Sequence, residues 1–323
     1  MEEKNKDVLA LTNAITDIII EVTDKEMAEL GLKKGVLNDK EIVYSNREFL
    51  DMIADEKSLT LVPGGSSANV AHGVAVLGLK SGLIGTVGND NIGKNYRRDI
   101  RKIGLEDFLT MKKGTQSGVC YIFVTPDKEK TPIPDLRVSK EFNLKAEFFE
   151  DYKLFHTSGY EMITNPGQVL WAMKYAKEQG MKLSFDLADP SIPVKRRADT
   201  DMAVSLTDYL TLTEDELKAY TGLELKDGAE KIREKVVGPE VIAVKKGGKG
   251  SEIITKDAHI PINRCPVQVV DTTGAGDAYM AGMLSGILRG WNIEYCGNIG
   301  SYIAGQVCAL EGARLPKPRV KRI

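Results

Sequence analysis

The chain predicts an α/β protein: one mainly parallel sheet, helices on both of its faces, and a small β-rich lid. Three observations carry this. Short β-branched runs alternate with helical patterns along most of the 323 residues. A Gly-rich turn near the C-terminus stands between an apolar run and a helical pattern. Two stretches, near residues 15–50 and 112–137, break the alternation and have a strand-turn-strand flavour, which assigns them to the lid.

The elements follow in order. Val8-Leu9-Ala10-Leu11 is a short apolar run ending at Thr12-Asn13, as a buried strand would. Ile18-Ile19-Ile20-Glu21-Val22 is a second β-branched run. Residues 24–57 are charged and helix-friendly, with Met27, Leu30 and Leu32 as a modest apolar face. Pro63-Gly64-Gly65-Ser66-Ser67 reads as a loop. After it Val70, Ala71, Val74, Ala75 and Leu77 recur at helical spacing up to Gly78. Strands are expected at 81–87, 119–124, 154–157, 182–186, 209–212 and 241–244, and a helix at 169–178. Val269 and Val270 are read as the end of one more strand, and Ala278, Ala281, Leu284, Ile287 and Leu288 as the helix after it. No internal repeat or low-complexity linker divides the chain, so residues 1–323 are read as a single domain carrying its lid.

Hydrophobic residues make up 42% and charged residues 28%, with a formal net charge of -2. That balance speaks against a polyanion-binding surface, so nucleic acid and acidic membrane are not expected partners. The charged start and the lack of an apolar run long enough to span a bilayer lead to the expectation of a cytoplasmic protein. The four cysteines and three histidines are scattered and without metal-ligand spacing.

Asp271-Thr272-Thr273-Gly274-Ala275-Gly276-Asp277 carries the chemistry. A helix N-terminus presents unpaired N–H groups and partial positive charge, and glycines let the backbone close on an anion. Such a turn suits charge on a phosphoryl group in transfer. Asp277, within the first helical turn, is placed to take a proton from an attacking hydroxyl. The plainer reading, a helix cap favoured by the dipole, would hold for an isolated Asp.

Asp-Thr-Thr-Gly-Ala-Gly-Asp-Ala at 271–278 resembles the C-terminal signature of the ribokinase-like (PfkB) carbohydrate kinases. The resemblance implies the ribokinase-like fold and an ATP-dependent kinase acting on a hydroxyl of a sugar or nucleoside. It implies Asp277 as base and the backbone of Gly274, Ala275 and Gly276 as anion hole. Gly64-Gly65 followed by Asn69 is similar to the family's acceptor-site motif. Asn13 and Asp17 match a family segment in which Asp17 would bind substrate hydroxyls, although Thr12 stands where the family usually has Gly. Residues 117–127 resemble the lid hairpin, and Arg137 after it is a candidate for the acceptor or γ-phosphate.

Lys245, Gly247 and Gly250 look like the family's loop over the nucleotide, with Thr273 and Asn298 as further ATP contacts. Glu216 fits the family's Glu that supports Mg²⁺ through water, with Thr213 replacing the usual Asn. A monovalent cation such as K⁺ beside Asp271 is a family option that spacing does not decide. The 24–57 insertion is similar to the adenosine-kinase-like and related sugar kinase branch. A homodimer paired through lid edges is the expected assembly. The alternative from another class is a non-catalytic sugar- or nucleoside-binding regulator on the same fold. A nicotinamide-dependent oxidoreductase would need a dinucleotide fingerprint near the first strand, which is missing.

Overall fold

The computed structural model describes residues 4–35, 38, 41–45, 59–235 and 238–316. Alternation along the strands decides the architecture. In β1 (Lys6–Leu11), Leu9 and Leu11 enter one core while Val8 and Ala10 enter others across the sheet. Successive side chains of a strand point to opposite faces, so a strand apolar at every position must be covered on both. The same division recurs in β11 (Val241–Lys245), with Ile242 and Val244 on one side and Val241 and Ala243 on the other.

The main sheet also holds β4 (Ser81–Gly88), β5 (Glu106–Lys112), β8 (Tyr152–Ser158), β9 (Lys182–Asp186), β10 (Tyr209–Thr213), β12 (Ser251–Ile254) and β13 (His259–Ile262). Its nine strands run in the order β13-β12-β11-β10-β9-β8-β1-β4-β5. All neighbours are parallel except β11–β12 and β12–β13, which form an antiparallel edge. One face is covered by the helices Pro166–Glu178, Arg197–Leu206 and Glu214–Thr221, the other by Ser66–Val76, Asn91–Ile103 and Ala275–Ile287.

The lid is a separate sheet in the order β3-β2-β6-β7, made of β2 (Ile15–Glu21), β3 (Thr60–Pro63), β6 (Gly118–Val124) and β7 (Lys130–Asp135). The two expected lid stretches thus meet, with β2 parallel to β6. One detail differs from expectation: Pro63, expected to open the loop, ends the strand Thr60–Pro63, which pairs antiparallel with β2. The helices Asp24–Glu29 and Glu41–Ser45 fall in the stretch read as helix-friendly. Residues 46–58, part of the region expected to be helix-friendly, lie outside the described residues.

The strand expected to end at Val269 and Val270 is absent. β13 closes the sheet at Ile262, and the chain then runs without a ladder past the end of the helix Ile293–Cys308, where the Val270 N–H donates to Cys308 O at 2.8 Å. Both valines are exposed. Their β-branched character mimics a strand, yet no strand lies beside them to pair with.

Several of the site-bearing residues leave the carboxyl ends of parallel strands of the main sheet, where open α/β sheets place ligands. Asn13 follows β1, Asp186 ends β9, Glu216 follows β10 and Lys245 ends β11. Phe155 in β8 is fully buried in the larger core beneath this rim. Phe155→Ala should therefore lower unfolding free energy by about 3–5 kcal/mol, read as a shifted midpoint in urea or guanidinium unfolding.

Candidate active site

Two helix N-termini meet over the sheet. The helix Ser66–Val76 begins after Gly65, and the helix Ala275–Ile287 after Gly274. They pack closely: a Cβ on Gly73 would lie 2.6 Å from the Ala281 Cβ. This approach sets Asp277 between them. Its Oδ1 accepts a hydrogen bond from Ser66 Oγ at 2.7 Å and its Oδ2 accepts from Asn69 Nδ2 at 2.8 Å. The surrounding protein desolvates the carboxyl and pushes it up to about 7, with Asn69 and Ser66 opposing, Asp186 adding to the rise and Lys245 opposing it.

On the acceptor side the backbone approaches Asp17 so closely that a Cβ on Gly64 would meet its carboxylate oxygens at 2.8–2.9 Å. Asp17 projects from lid strand β2, and burial pushes its carboxyl up to about 6 against the fields of Arg314 and Lys130. Arg314 is nearly buried. Its Nε donates to Asn69 Oδ1 at 2.8 Å, its Nη1 pairs with Asp99 at 2.9 Å, and its Nη2 donates to the Gly64 carbonyl at 3.4 Å. Asn13 stands behind this cleft. Its Nδ2 donates to Tyr160 O at 3.2 Å, and its Oδ1 accepts from Thr164 Oγ1 at 3.3 Å, so its amide braces the chain. Thr12, in the place where Gly was expected, is buried with its hydroxyl 3.5 Å from Glu161.

Across Asp277 lies a cavity of about 310 Å³. The loop Gly247, Gly248 and Gly250, the segment through Arg264, Cys265 and Val267, and Ser301, Ala304 and Cys308 of the helix Ile293–Cys308 line it, and Ala275, Gly276 and Lys245 form its end. Asp186 Oδ2 accepts from Lys245 Nζ at 2.6 Å and from Thr211 Oγ1 at 2.7 Å. A Cβ on Gly276 would sit 3.1 Å from Lys245 Nζ. Burial works to strip the Lys245 proton, but Asp186, Glu216 and Asp277 outweigh it and hold its pKa above the ordinary lysine value.

Glu216 is 5% exposed. Burial raises its pKa, with Lys245 opposing and Asp186 adding. The Thr at 213 now has a reason. It is the N-cap of a capping box, in which the Glu216 N–H donates to Thr213 Oγ1 at 3.2 Å and the Thr213 N–H donates to Glu216 Oε2 at 2.9 Å.

The turn itself is tied down. Asp271 Oδ1 accepts from the Thr273 N–H at 2.9 Å, a two-residue Asx turn. Gly274 then takes φ +72°, with Ala313 so near that a Cβ would lie 2.6 Å from it, and both facts require glycine there.

Several expected residues are placed differently. The Ala275 N–H donates to Thr272 O at 3.2 Å, which leaves Gly274 and Gly276 as the anion-hole candidates among the three expected. Arg137 is turned to the lid: it pairs with Asp135 at 2.6 Å and donates to Ser117 O and the Tyr121 hydroxyl. The cations acting on Asp17 are Arg314 and Lys130 instead. Asn298 is exposed one turn before Ser301 and does not line the cavity. Thr273 bonds Asp271 while its neighbour Thr272 faces the cavity. Sequence reasoning passed over Asp186, whose only signal was its position at the end of a strand, and Lys130, which looked like one charge in a polar turn.

The buried Asp277 carboxyl thus stands at two helix N-termini, between the cleft beside Asp17 and a glycine-lined cavity of about 310 Å³. The chain belongs to the pfkB family of carbohydrate kinases, whose profile matches residues 37–319, and is an ATP-dependent kinase of ribokinase-like fold. An uncharacterized sugar kinase of Archaeoglobus fulgidus is 30% identical over 252 residues, covering 76% of this chain and 98% of that protein. A probable fructokinase-7 of Arabidopsis thaliana is 31% identical over 251 residues, 73% of each chain. The crystal structure of adenosine kinase from Sinorhizobium meliloti superposes with a TM-score of 0.85 at 27% identity, covering 98% of this chain and 97% of that one. Among the described residues no helix is long and apolar enough to cross a membrane.

The raised Asp277 pKa has a consequence for stability. Between the ordinary value of 3.8 and about 7 the folded chain holds a proton that the unfolded chain has released, so stability falls as pH rises through this window. Asp277→Asn removes the effect. Its unfolding free energy should match wild type near pH 4 and exceed it by about 4 kcal/mol above pH 7, measured by denaturant unfolding at both pH values.

Proposed function

We propose that this kinase phosphorylates a hydroxyl of a sugar or nucleoside, with Asp277 as the general base. The observation that carries the reading is the position of Asp277. It is held by Ser66 and Asn69 of the acceptor-side helix, and the anion turn of its own helix faces the nucleotide-sized cavity. A carboxyl raised to about 7 is matched to taking a proton near neutral pH.

In the proposed reaction the acceptor lies between Asp17 and Asp277. Asp17, an acceptor-only group when ionised, takes hydrogen bonds from adjacent ring hydroxyls. Arg314 holds Asn69 and the Gly64 carbonyl in register for the same ring. As the acceptor oxygen bonds to the γ-phosphorus, its proton passes to Asp277, the bond from phosphorus to the bridging oxygen breaks, and ADP leaves with that electron pair. The N–H groups of Gly274 and Gly276 and the Lys245 ammonium face the charge that builds on the transferred group.

The cavity between the Gly247–Lys249 turn and the helix Ile293–Cys308 would take ATP. Asp186 and Glu216, hard oxygen donors with Lys245 between them, fit Mg²⁺ held mostly through water. The ion would neutralise phosphate charge there. The relatives' names span sugar kinase, fructokinase and adenosine kinase, and a shared polyhydroxylated ring is the acceptor chemistry that Asp17 suits. Pairing of two copies through the lid sheet belongs to the same proposal, with Leu61 as an exposed apolar residue of β3.

Two measurements test this reading. ATP consumption with Mg²⁺ against a panel of sugars and nucleosides should show turnover with one class, and Asp277→Asn should lower kcat by about a thousandfold or more while leaving acceptor binding by calorimetry within a few-fold. Turnover in the variant close to wild type would remove Asp277 from the role of base. Sedimentation velocity at micromolar concentration should give twice the chain mass; a monomer there would dispose of the lid-paired dimer.

A further inference from the structure

The monovalent cation implied beside Asp271 meets a carboxylate that is already filled. A carboxylate offers about four lone-pair sites, and four donors reach this one. Oδ1 accepts from the Thr273 N–H at 2.9 Å and from Thr273 Oγ1 at 2.7 Å. Oδ2 accepts from the Gly312 N–H at 2.8 Å and from Lys130 Nζ at 2.5 Å. The Lys130 ammonium also donates to Thr273 Oγ1 at 2.8 Å. The residues present do not fit an added K⁺ at this carboxylate, because the ion would have to displace an ammonium of the same charge.

Lys130 belongs to the lid. It begins β7 and pairs in register with Val124 across the hairpin. The tip of that hairpin is anchored, with Lys34 bridging Asp127 at 2.8 Å and Asp24 at 2.7 Å. The Lys130 side chain is about one-quarter exposed and that of Asp271 6% exposed, so the pair is shielded from bulk water. Burial alone would raise the Asp271 carboxyl, but Lys130, Thr273 and Gly312 overcome it and hold it at about 2. The carboxylate is ionised at every working pH, and it wants a cation.

We infer that Lys130 is a tethered monovalent cation: its ammonium, delivered by the lid, fixes the Asp271–Thr273 turn that leads into the anion hole, and makes this enzyme independent of K⁺. Lys130 is a positioning residue in this account. It acts through Asp271 and Thr273 on the geometry of Gly274 and does not take part in the bond changes. The dependence on lid position follows, because the turn is completed only when the hairpin lies over it.

The activity arm of the test rests on the kinase reading, and a second arm does not. Initial rates are measured at constant ionic strength in tetramethylammonium chloride, with K⁺ or NH₄⁺ titrated in to about 100 mM. Wild type should change by less than about twofold. Lys130→Ala should fall about tenfold or more in kcat without K⁺ and regain a large part of it with K⁺ or NH₄⁺. Lys130→Arg should stay insensitive to either ion.

Melting temperatures are followed in the same salts. Lys130→Ala should gain several degrees from K⁺ over tetramethylammonium while wild type gains none. A wild type stimulated strongly by K⁺, or a Lys130→Ala loss that no monovalent cation repairs in rate or in melting, would overturn the inference. If no acceptor is turned over by wild type, the functional proposal fails, and the melting arm still decides the role of Lys130.

Discussion

The site depends on one packing constraint: the helices Ser66–Val76 and Ala275–Ile287 touch backbone to side chain at Gly73 and Ala281. Because they are that close, their N-termini open side by side, and Ser66 and Asn69 reach across to both oxygens of Asp277. Neither helix alone makes an active site. One presents an acceptor-side loop and the other an anion turn, and their contact places a carboxyl on the line between the two. A side chain at position 73 would meet Ala281, wedge the helices apart and pull Asp277 away from Ser66 and Asn69.

Electrostatics then divides the rim into two compartments. Around Lys245, the carboxyl groups of Asp186, Glu216 and Asp277 form a ring in which a single ammonium holds several anions. Burial is the main cause of the raised Asp277 and Glu216 pKa values, with Asp186 adding to both and Lys245 opposing. On the other side, Arg314 and Lys130 face Asp17. Both are held by the protein itself, Arg314 by Asn69, Asp99 and Gly64, and Lys130 by Asp271 and Thr273. The cleft beside Asp17 is thereby given fixed charges in place of flexible ones, which would suit it to orienting the proposed acceptor.

Most of the architecture was legible because short strand-like runs alternate with helical patterns: 241–244 is apolar at every position, and 182–186 and 209–212 are marked by alternating apolar residues. The glycine turn before the helix Ala275–Ile287 was legible because a Gly-rich run precedes a helical pattern, and Gly274 takes a positive φ there. What stayed hidden was long-range. Lys130 meets Asp271 across 141 residues and Arg314 meets Asn69 across 245, and no local pattern marks either pair. Arg137 misled for the converse reason. A charged residue after the lid hairpin is free to point into the cleft, but Asp135 two residues earlier captures it first. Val269 and Val270 misled because β-branched residues signal a strand only when another strand is there to receive their backbone.

The central claim is that a carboxyl desolvated between two helix N-termini takes the acceptor's proton. The pH dependence of kcat/KM for the wild-type enzyme with its best acceptor addresses it most directly. An ascending limb is expected with a midpoint near the Asp277 value of about 7 and a plateau above it. A rate that is flat from pH 5 to pH 8 with chemistry rate-limiting would contradict it, because no group titrating in that range would then be needed in its ionised form.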